Sequence, residues 1–153
     1  MAAGIFFLFI LLLIIAAWTD LKEGYIPDSV SILIFLLSFY SLFIRSGPGL
    51  LLRIEGAVLC GGLLEGIRLI SRGGIGMGDV KLMTACGFFL GITTGAVSLV
   101  FAYILAGLPL LIFKKASLKT RLPMAPFFTV SILIFLFFEE KIFTWYLGLW
   151  GIL

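Results

Sequence analysis

Two acidic residues stand at the ends of long apolar segments. Asp20 closes the first segment and Asp79 opens the fourth. An acid at the edge of an apolar span costs free energy unless it is paired or faces an aqueous cavity. Two carboxylates that share a site cannot both ionise easily, so one keeps a proton while the other acts as a base. Such a pair activates a water molecule for attack on a peptide carbonyl.

Glycines crowd against the second acid in the sequence Gly-Gly-Ile-Gly-Met-Gly-Asp at residues 73–79. Gly76 and Gly78 have no Cβ and permit positive φ, so a backbone or a substrate can come close to the carboxylate. A flexible linker alone would not need four glycines directly before an acid. We therefore predict an active-site loop that contains Gly76 and Gly78.

Each acid also has a structural explanation that involves no chemistry. Asp20 alone could be a helix-end residue wetted by the membrane interface. Asp79 opens an apolar helix after a glycine, which suits an N-cap, where the helix dipole favours negative charge. The two acids are a candidate pair only if the fold brings them together.

Metal chemistry has little support in the sequence. The chain contains no histidine, and Cys60 and Cys86 stand apart in apolar segments without a CxxC spacing. The usual zinc sites are thereby excluded, and both cysteines are interpreted as small buried packing residues. We predict no metal site and no cofactor.

The composition is typical of an integral membrane protein. Of 153 residues, 62% are hydrophobic and 12% charged, and the mean hydropathy is +1.26, which is far too apolar for a soluble domain of this size. Alternating apolar and polar ten-residue segments are missing, so a helical bundle is favoured over a transmembrane barrel. No basic region precedes the first apolar run and no small-residue cleavage site follows it, so we expect a retained span.

The apolar segments predict an all-α integral membrane domain with a bundle of about six transmembrane helices. A full span takes roughly 17 to 25 residues, so the fourth segment is short for a crossing. An aromatic tail at 142–153 is expected at the interface. The predicted spans are residues 2–19, 29–44, 50–70, 80–90, 95–113 and 123–138.

Basic residues predict the orientation, because cytoplasmic loops collect Lys and Arg. With six spans, the loops after the first, third and fifth spans and the adjoining helix ends hold eight of the eleven basic residues. We therefore predict a plasma-membrane protein with its N-terminus outside and its loops at 20–28, 71–79 and 114–122 in the cytoplasm. Both acids then share one face. The eight residues are Lys22, Arg68, Arg72, Lys81, Lys114, Lys115, Lys119 and Arg121, whereas Arg45, Arg53 and Lys141 fall on the other side.

Three segments resemble the motifs of one family, and the resemblance runs from the first span to the sixth, over essentially the whole chain. Residues 76–82, Gly-Met-Gly-Asp-Val-Lys-Leu, look like the GxGD signature of type IV prepilin peptidases and archaeal preflagellin peptidases. Asp20, followed eight residues later by Asp28 in a Pro-Asp step, is similar to that family's first aspartate motif. Residues 122–127, Leu-Pro-Met-Ala-Pro-Phe, resemble its proline-containing entry to the last helix.

The resemblance implies cleavage of the short basic leader of prepilin-like substrates, with Asp20 and Asp79 as the catalytic pair. Asp28 matches the family pattern too, and its alternative explanation is an N-cap of the second span. Many bacterial members carry an N-terminal extension with paired CxxC motifs and also methylate the new N-terminus. This sequence contains neither feature, so we expect the short form, a peptidase core alone.

The remaining charged residues have simpler interpretations. Lys81 is interpreted as an interface lysine, with support of a carboxylate or of the substrate as the alternative. Glu23 adds to an acidic first loop that could attract a basic leader. Glu65 and Arg68 are predicted to form an i,i+3 ion pair. The basic loop at 114–122 is expected to contact anionic lipid, and no nucleic-acid partner is expected.

Other functions fit parts of the pattern. The main alternative is a small six-helix transporter or substrate-binding subunit that uses the same acids to bind a cation or a solute. A presenilin-type protease ranks lower, because Asp20 follows Thr19 and not a tyrosine. A degenerate scaffold protein is disfavoured because both acids are present.

Overall fold

The protein consists of helices joined by loops in the part of the chain that the structure describes. A computed structural model describes the backbone at residues 2–44, 47–72, 74–112 and 123–149, and the side chains at 4–44, 47–72, 74–107 and 123–137. These residues contain no β-strand, which confirms the predicted all-α class. The helices are α1 (Ala2–Glu23), α2 (Asp28–Phe43), α3 (Leu50–Ile70), α4 (Met77–Ile112) and α5 (Ala125–Leu149).

The fourth helix, α4, consists of two antiparallel halves joined at Gly91. This residue has φ 81° and ψ 177° within an otherwise helical run, a conformation that glycine alone adopts readily. A Cβ built on Gly95 would lie 3.3 Å from the Cα of Gly87, although eight residues of a straight helix rise by about 12 Å. The chain therefore reverses at Gly91, so residues 77–90 and 92–112 run side by side. They correspond to the fourth and fifth segments predicted from the sequence.

Glycines let α3 approach α4 at backbone distance. A Cβ on Gly56 would lie 2.6 Å from the carbonyl carbon of Gly91, and a Cβ on Gly87 would lie 2.5 Å from the carbonyl oxygen of Gly56. Glycines recur every fourth residue at 87, 91 and 95, a spacing of small residues that permits close helix contact in apolar surroundings. The first half of α4 is thus held tightly against α3.

The ends of several helices lie together at one end of the bundle. The Thr129 hydroxyl of α5 donates to the carbonyl of Leu13 in α1 at 3.1 Å, and the first residue of α5 contacts Asp20 near the end of α1. These two helices therefore run antiparallel. Asp79, at the start of α4, also lies at this end, because it lines the same cleft as Asp20. We call it the aspartate end.

The opposite end contains a buried arginine. Arg53 on α3 is 1% exposed, and its guanidinium donates to the carbonyl of Pro48 at 2.8 Å and to that of Ser38 at 3.1 Å. These bonds hold the loop between α2 and α3 against the last turns of α2. The predicted loops at 20–28 and 71–79 share the aspartate end, whereas the third, at 114–122, lies outside the described residues.

Large apolar side chains are exposed on every helix whose side chains are described, including Phe7, Phe43, Ile70 and Phe137. Water would drive such a surface to associate, whereas a bilayer solvates it. Two described segments are long and apolar enough to cross a membrane, Gly4–Glu23 and Met77–Gly107, although the second contains the reversal at Gly91. Both observations favour membrane localisation, and six crossings stay a prediction.

The last helix continues past the sixth predicted span. The sequence predicted this span to residue 138 and an interfacial tail at 142–153, and α5 runs as one helix from the span into the tail, to Leu149. An unbroken run of helix formers from the span into the tail explains the extension, because no glycine or proline intervenes before residue 148. Residues 150–153 lie outside the described part.

Candidate active site

Asp20 lies in the last turn of α1, and the helix ends just before Gly24. Gly24 adopts φ 62°, and its N–H donates to the carbonyl of Asp20 at 2.9 Å. A left-handed glycine just past the last helical residue is a common way to stop a helix. The chain then turns toward α2, and the Asp20 side chain, 7% exposed, faces into the bundle.

The carboxylate of Asp20 is held by the start of the last helix. Its Oδ2 accepts a hydrogen bond from the N–H of Ala125 at 2.9 Å, and the N–H of Met124 also donates to it. Both donors lie at the first turn of α5, where backbone N–H groups have no partner within the helix. Pro126 fits that first turn because its missing N–H is not needed there. Asp20 therefore caps a helix that begins more than a hundred residues later.

Met124 and Ala125 are site residues that the sequence interpretation did not single out. The signal that could have identified them was the proline-containing segment at 122–127, which was linked to helix entry and not to Asp20. Almost any residue type can donate a hydrogen bond from its backbone N–H, so the types of these two residues do not identify them as partners of Asp20.

Asp79 is the third residue of α4, and its carboxylate accepts the N–H of Gly76, the residue before the helix. This backward hydrogen bond is the acidic half of a capping box. The interpretation of Asp79 as an N-cap is therefore wrong in position, because Gly76 precedes the helix and Asp79 lies three residues later. A Cβ on Gly76 would come within 3.0 Å of the Asp79 Oδ2, so glycine leaves that oxygen its space.

Gly78 has a different role from the one predicted. A Cβ at this position would lie 3.1 Å from the Cβ of Ile26, a side chain 3% exposed in the loop between α1 and α2. The close neighbour is thus a residue of the same chain and not a substrate. Neither Gly76 nor Gly78 has positive φ. Gly78 lets the loop after Asp20 pack onto the turn that carries Asp79.

The two carboxylates line one cleft at the aspartate end, with a volume of about 340 Å³. They are close enough for the charge of Asp20 to act on Asp79. Asp20 is buried and Asp79 half-buried, so their environment disfavours two full negative charges and favours a shared proton. The other lining residues are Leu21, Gly24, Gly74, Ile75, Gly76, Tyr103, Pro123 and Met124.

Asp28 and Lys81 lie outside the residues that line the cleft and pair with each other. The Nζ of Lys81 contacts the Oδ2 of Asp28 at 2.6 Å, and both side chains are about half exposed. Asp28 is the first residue of α2, and the N-cap position before it is Pro27, so the interpretation of Asp28 as the N-cap is wrong. The ion pair joins the starts of α2 and α4. Glu23 is exposed at the end of α1 and does not line the cleft either.

Three further predictions can be compared with the structure. Arg68 and Glu65 form the predicted ion pair on α3, at 2.9 Å. Cys60 and Cys86 are both buried free thiols, as expected for packing residues. Among the described residues, no three Cys, Asp or Glu side chains are grouped as a metal site would require.

Comparisons with known proteins identify the family. A sequence model of the type IV leader peptidase family matches residues 7–112. The chain belongs to this family. The resemblance drawn from its motifs is thereby confirmed.

Two curated relatives from bacteria are similar to the chain over most of its length. The prepilin leader peptidase/N-methyltransferase of Bacillus subtilis is 31% identical over 148 residues, covering 91% of this chain and 57% of the relative. The protein of the same name from Legionella pneumophila is 28% identical over 151 residues, covering 91% and 51%. The chain thus spans about half the length of these relatives. No solved structure matches it at a significant level.

Proposed function

We propose that the chain is a membrane aspartic endopeptidase that removes the leader peptide from type IV prepilin-like precursors, with Asp20 and Asp79 as its catalytic pair. The observation that carries the proposal is the presence of both carboxylates in one cleft. Family membership and the names of the two relatives support the reaction and the substrate class. The two acids account for hydrolysis and offer no chemistry for methyl transfer.

The hydrogen bonds around the two acids differ, and we assign their roles from this difference. Asp20 accepts two backbone N–H groups at the start of α5. Asp79 accepts one, from Gly76. Hydrogen bonds to a carboxylate favour its charged form. Asp20 is therefore assigned as the base, and Asp79 as the acid that carries the shared proton.

This assignment leads to a balanced hydrolysis in two steps. First, Asp20 takes a proton from water as the water oxygen adds to the scissile carbonyl carbon, and Asp79 gives its proton to the carbonyl oxygen. The carbon–nitrogen bond then breaks, Asp20 passes its proton to the leaving nitrogen, and Asp79 recovers a proton from a hydroxyl of the diol. Both acids return to their starting states, so the pair needs no metal or cofactor.

The proposed orientation puts the aspartate end at the cytoplasmic face of the plasma membrane in a multi-pass arrangement. A prepilin-like precursor would keep its apolar helix in the bilayer, beside the exposed apolar side chains, and present its leader junction to the cleft. Glu23 is exposed and directly precedes Gly24, which lines the cleft, and its charge is proposed to attract the basic leader.

The test uses purified full-length protein in detergent with a prepilin from the same genome. We expect the wild type to release a leader peptide that mass spectrometry detects at one junction. Asp20→Asn and Asp79→Asn should each lower the rate at least about 1,000-fold, as for other residues that act as a catalytic unit. Glu65→Gln is the matched control, because it makes the same chemical change outside the cleft. Full cleavage by both Asn variants would rule out the pair.

A further inference from the structure

One residue in the cleft has no part in the mechanism above. Tyr103 lies in the second half of α4, twelve residues after Gly91, and Asp79 lies twelve residues before Gly91. A straight helix would separate these two residues by about 36 Å, but the reversal at Gly91 brings them level. Both line the cleft, and the charge of Asp79 reaches the Tyr103 phenol.

The Tyr103 hydroxyl is buried and has no hydrogen-bond partner among the described residues. A buried polar atom without a partner destabilises the protein, so such an atom calls for an explanation. The hydroxyls of Ser31 and Ser98 are also buried and unpaired, but neither residue lines the cleft. Tyr103 is therefore the described residue that brings an unused donor to the two acids.

The ring of Tyr103 is held in place while its hydroxyl is unpaired. It packs edge-on against Phe128 of α5, with ring centroids 6.1 Å apart. Phe128 is fully buried and lies one turn after the N–H groups that hold Asp20. The phenol is thus positioned in advance, as an electrostatic catalyst requires.

Three backbone N–H groups beside the acids already have acceptors. The N–H groups of Ala125 and Met124 donate to Asp20, and that of Gly76 donates to Asp79. Addition of water to a peptide bond builds negative charge on the carbonyl oxygen, which a further donor stabilises. Among the side chains that line the cleft, the Tyr103 hydroxyl is the group with a proton to donate besides the acids themselves.

We infer that the Tyr103 hydroxyl donates a hydrogen bond to the carbonyl oxygen of the scissile peptide bond, the same oxygen that receives the proton of Asp79. This inference rests on the proposed function. It makes Tyr103 a catalytic residue, and it gives the unpaired hydroxyl its partner when a substrate fills the cleft.

Tyr103→Phe tests the inference, because it removes the hydroxyl and keeps the ring against Phe128. The cleavage assay described above should show a fall in kcat of roughly 100-fold with KM changed less than about threefold, since the bond strengthens mainly as charge develops on the carbonyl oxygen. The pH limits of activity should not move, because the two acids are untouched. Tyr40→Phe, the same change on an exposed side chain of α2, should leave kcat unchanged.

Each other outcome overturns the inference. A Tyr103→Phe enzyme as fast as the wild type would remove the donor role and leave the proposed peptidase intact. A shift of the pH limits would show that the hydroxyl acts through Asp79, and a variant that fails to elute as folded protein would make it structural. If the wild type cleaves no prepilin, the proposed function fails, and the role of Tyr103 fails with it.

Discussion

The Oδ2 of Asp20 accepts the N–H of Ala125 at 2.9 Å, across 105 residues of sequence. This bond joins the last turn of the first helix to the first turn of the last one. Since the N–H of Met124 donates to the same carboxylate, the acid and the helix N-terminus satisfy each other. The orientation of a proposed catalytic group is thus coupled to the docking of α5.

This coupling predicts different effects for two substitutions of one residue. Asp20→Asn keeps a carbonyl oxygen that can accept the N–H of Ala125, so the free energy of unfolding should change little. Asp20→Ala removes the acceptor and should destabilise the protein by about 1 to 2 kcal/mol, as for other lost caps. Thermal unfolding in detergent measures the difference. Both variants should be inactive.

The corresponding pair at Asp79 is the control. Asp79 accepts one N–H, from Gly76, so Asp79→Ala and Asp79→Asn should differ in stability by less than the two Asp20 variants do. If Asp20→Ala and Asp20→Asn unfold at the same temperature, Asp20 does not hold α5.

The reversal of α4 predicts a strict requirement for glycine at residue 91. Gly91→Ala would place a Cβ 3.1 Å from the Cγ of Pro48 at φ 81°, and a non-glycine residue in such a conformation costs about 1 to 3 kcal/mol. We expect a loss of at least about 2 kcal/mol in thermal unfolding, together with slower cleavage, because Asp79 and Tyr103 would no longer be level.

A second glycine offers the matched control for Gly91. Gly62 is an exposed helical residue of α3, and nothing lies within 4 Å of a Cβ built there. Gly62→Ala should be neutral or stabilising by up to about 1 kcal/mol, from helix propensity. Equal losses for the two variants would contradict the special role of Gly91.

Much of the helix order could be predicted from the sequence, because the apolar segments indicate the helices and the basic loops indicate where they are separated. The fourth and fifth segments were separated at residues 90–95, and the structure turns at Gly91. The sequence did not predict whether the tail is helical, since an aromatic tail at an interface and a continuing helix have the same composition, and α5 continues to Leu149.

The site was predicted only in part, for a physical reason. Asp20 and Asp79 can be identified from the sequence because a carboxylate beside an apolar segment is unusual. Tyr103 cannot be identified in this way, since a tyrosine inside an apolar helix is normally a packing residue. Only the fold brings it level with Asp79. Support of a carboxylate by Lys81 was predicted only as an alternative, and its partner Asp28 was not identified because 53 residues separate the two.

That ion pair leads to a prediction about a third acid. Asp28→Asn breaks the contact with Lys81, but both side chains are about half exposed, so the loss of stability should stay below about 1 kcal/mol. Cleavage should stay within about tenfold of the wild type, because Asp28 does not line the cleft. The charge-reversed double variant, Asp28→Lys with Lys81→Asp, should recover part of any loss. A fall in rate as large as that of Asp20→Asn would place Asp28 in the catalytic machinery.

The orientation can be tested by cysteine labelling, since the native thiols of Cys60 and Cys86 are buried. Glu23→Cys marks the aspartate end, and Gly49→Cys marks the opposite end, where a Cβ meets nothing within 4 Å. In intact cells, a membrane-impermeant maleimide should label Gly49→Cys directly and Glu23→Cys only after the membrane is opened.

The unsubstituted protein serves as the background in this experiment, because its two buried thiols should react with neither treatment. Gly49→Cys should keep its full cleavage activity, and Glu23→Cys should still cleave, with weaker attraction of the leader, since neither residue lines the cleft. Labelling of Glu23→Cys from outside, with Gly49→Cys protected, would reverse the orientation. It would then place the two acids on the face that a leader peptide retained in the cytoplasm does not reach. Labelling of both from one side would contradict the antiparallel course of α1, α2 and α3 across the membrane.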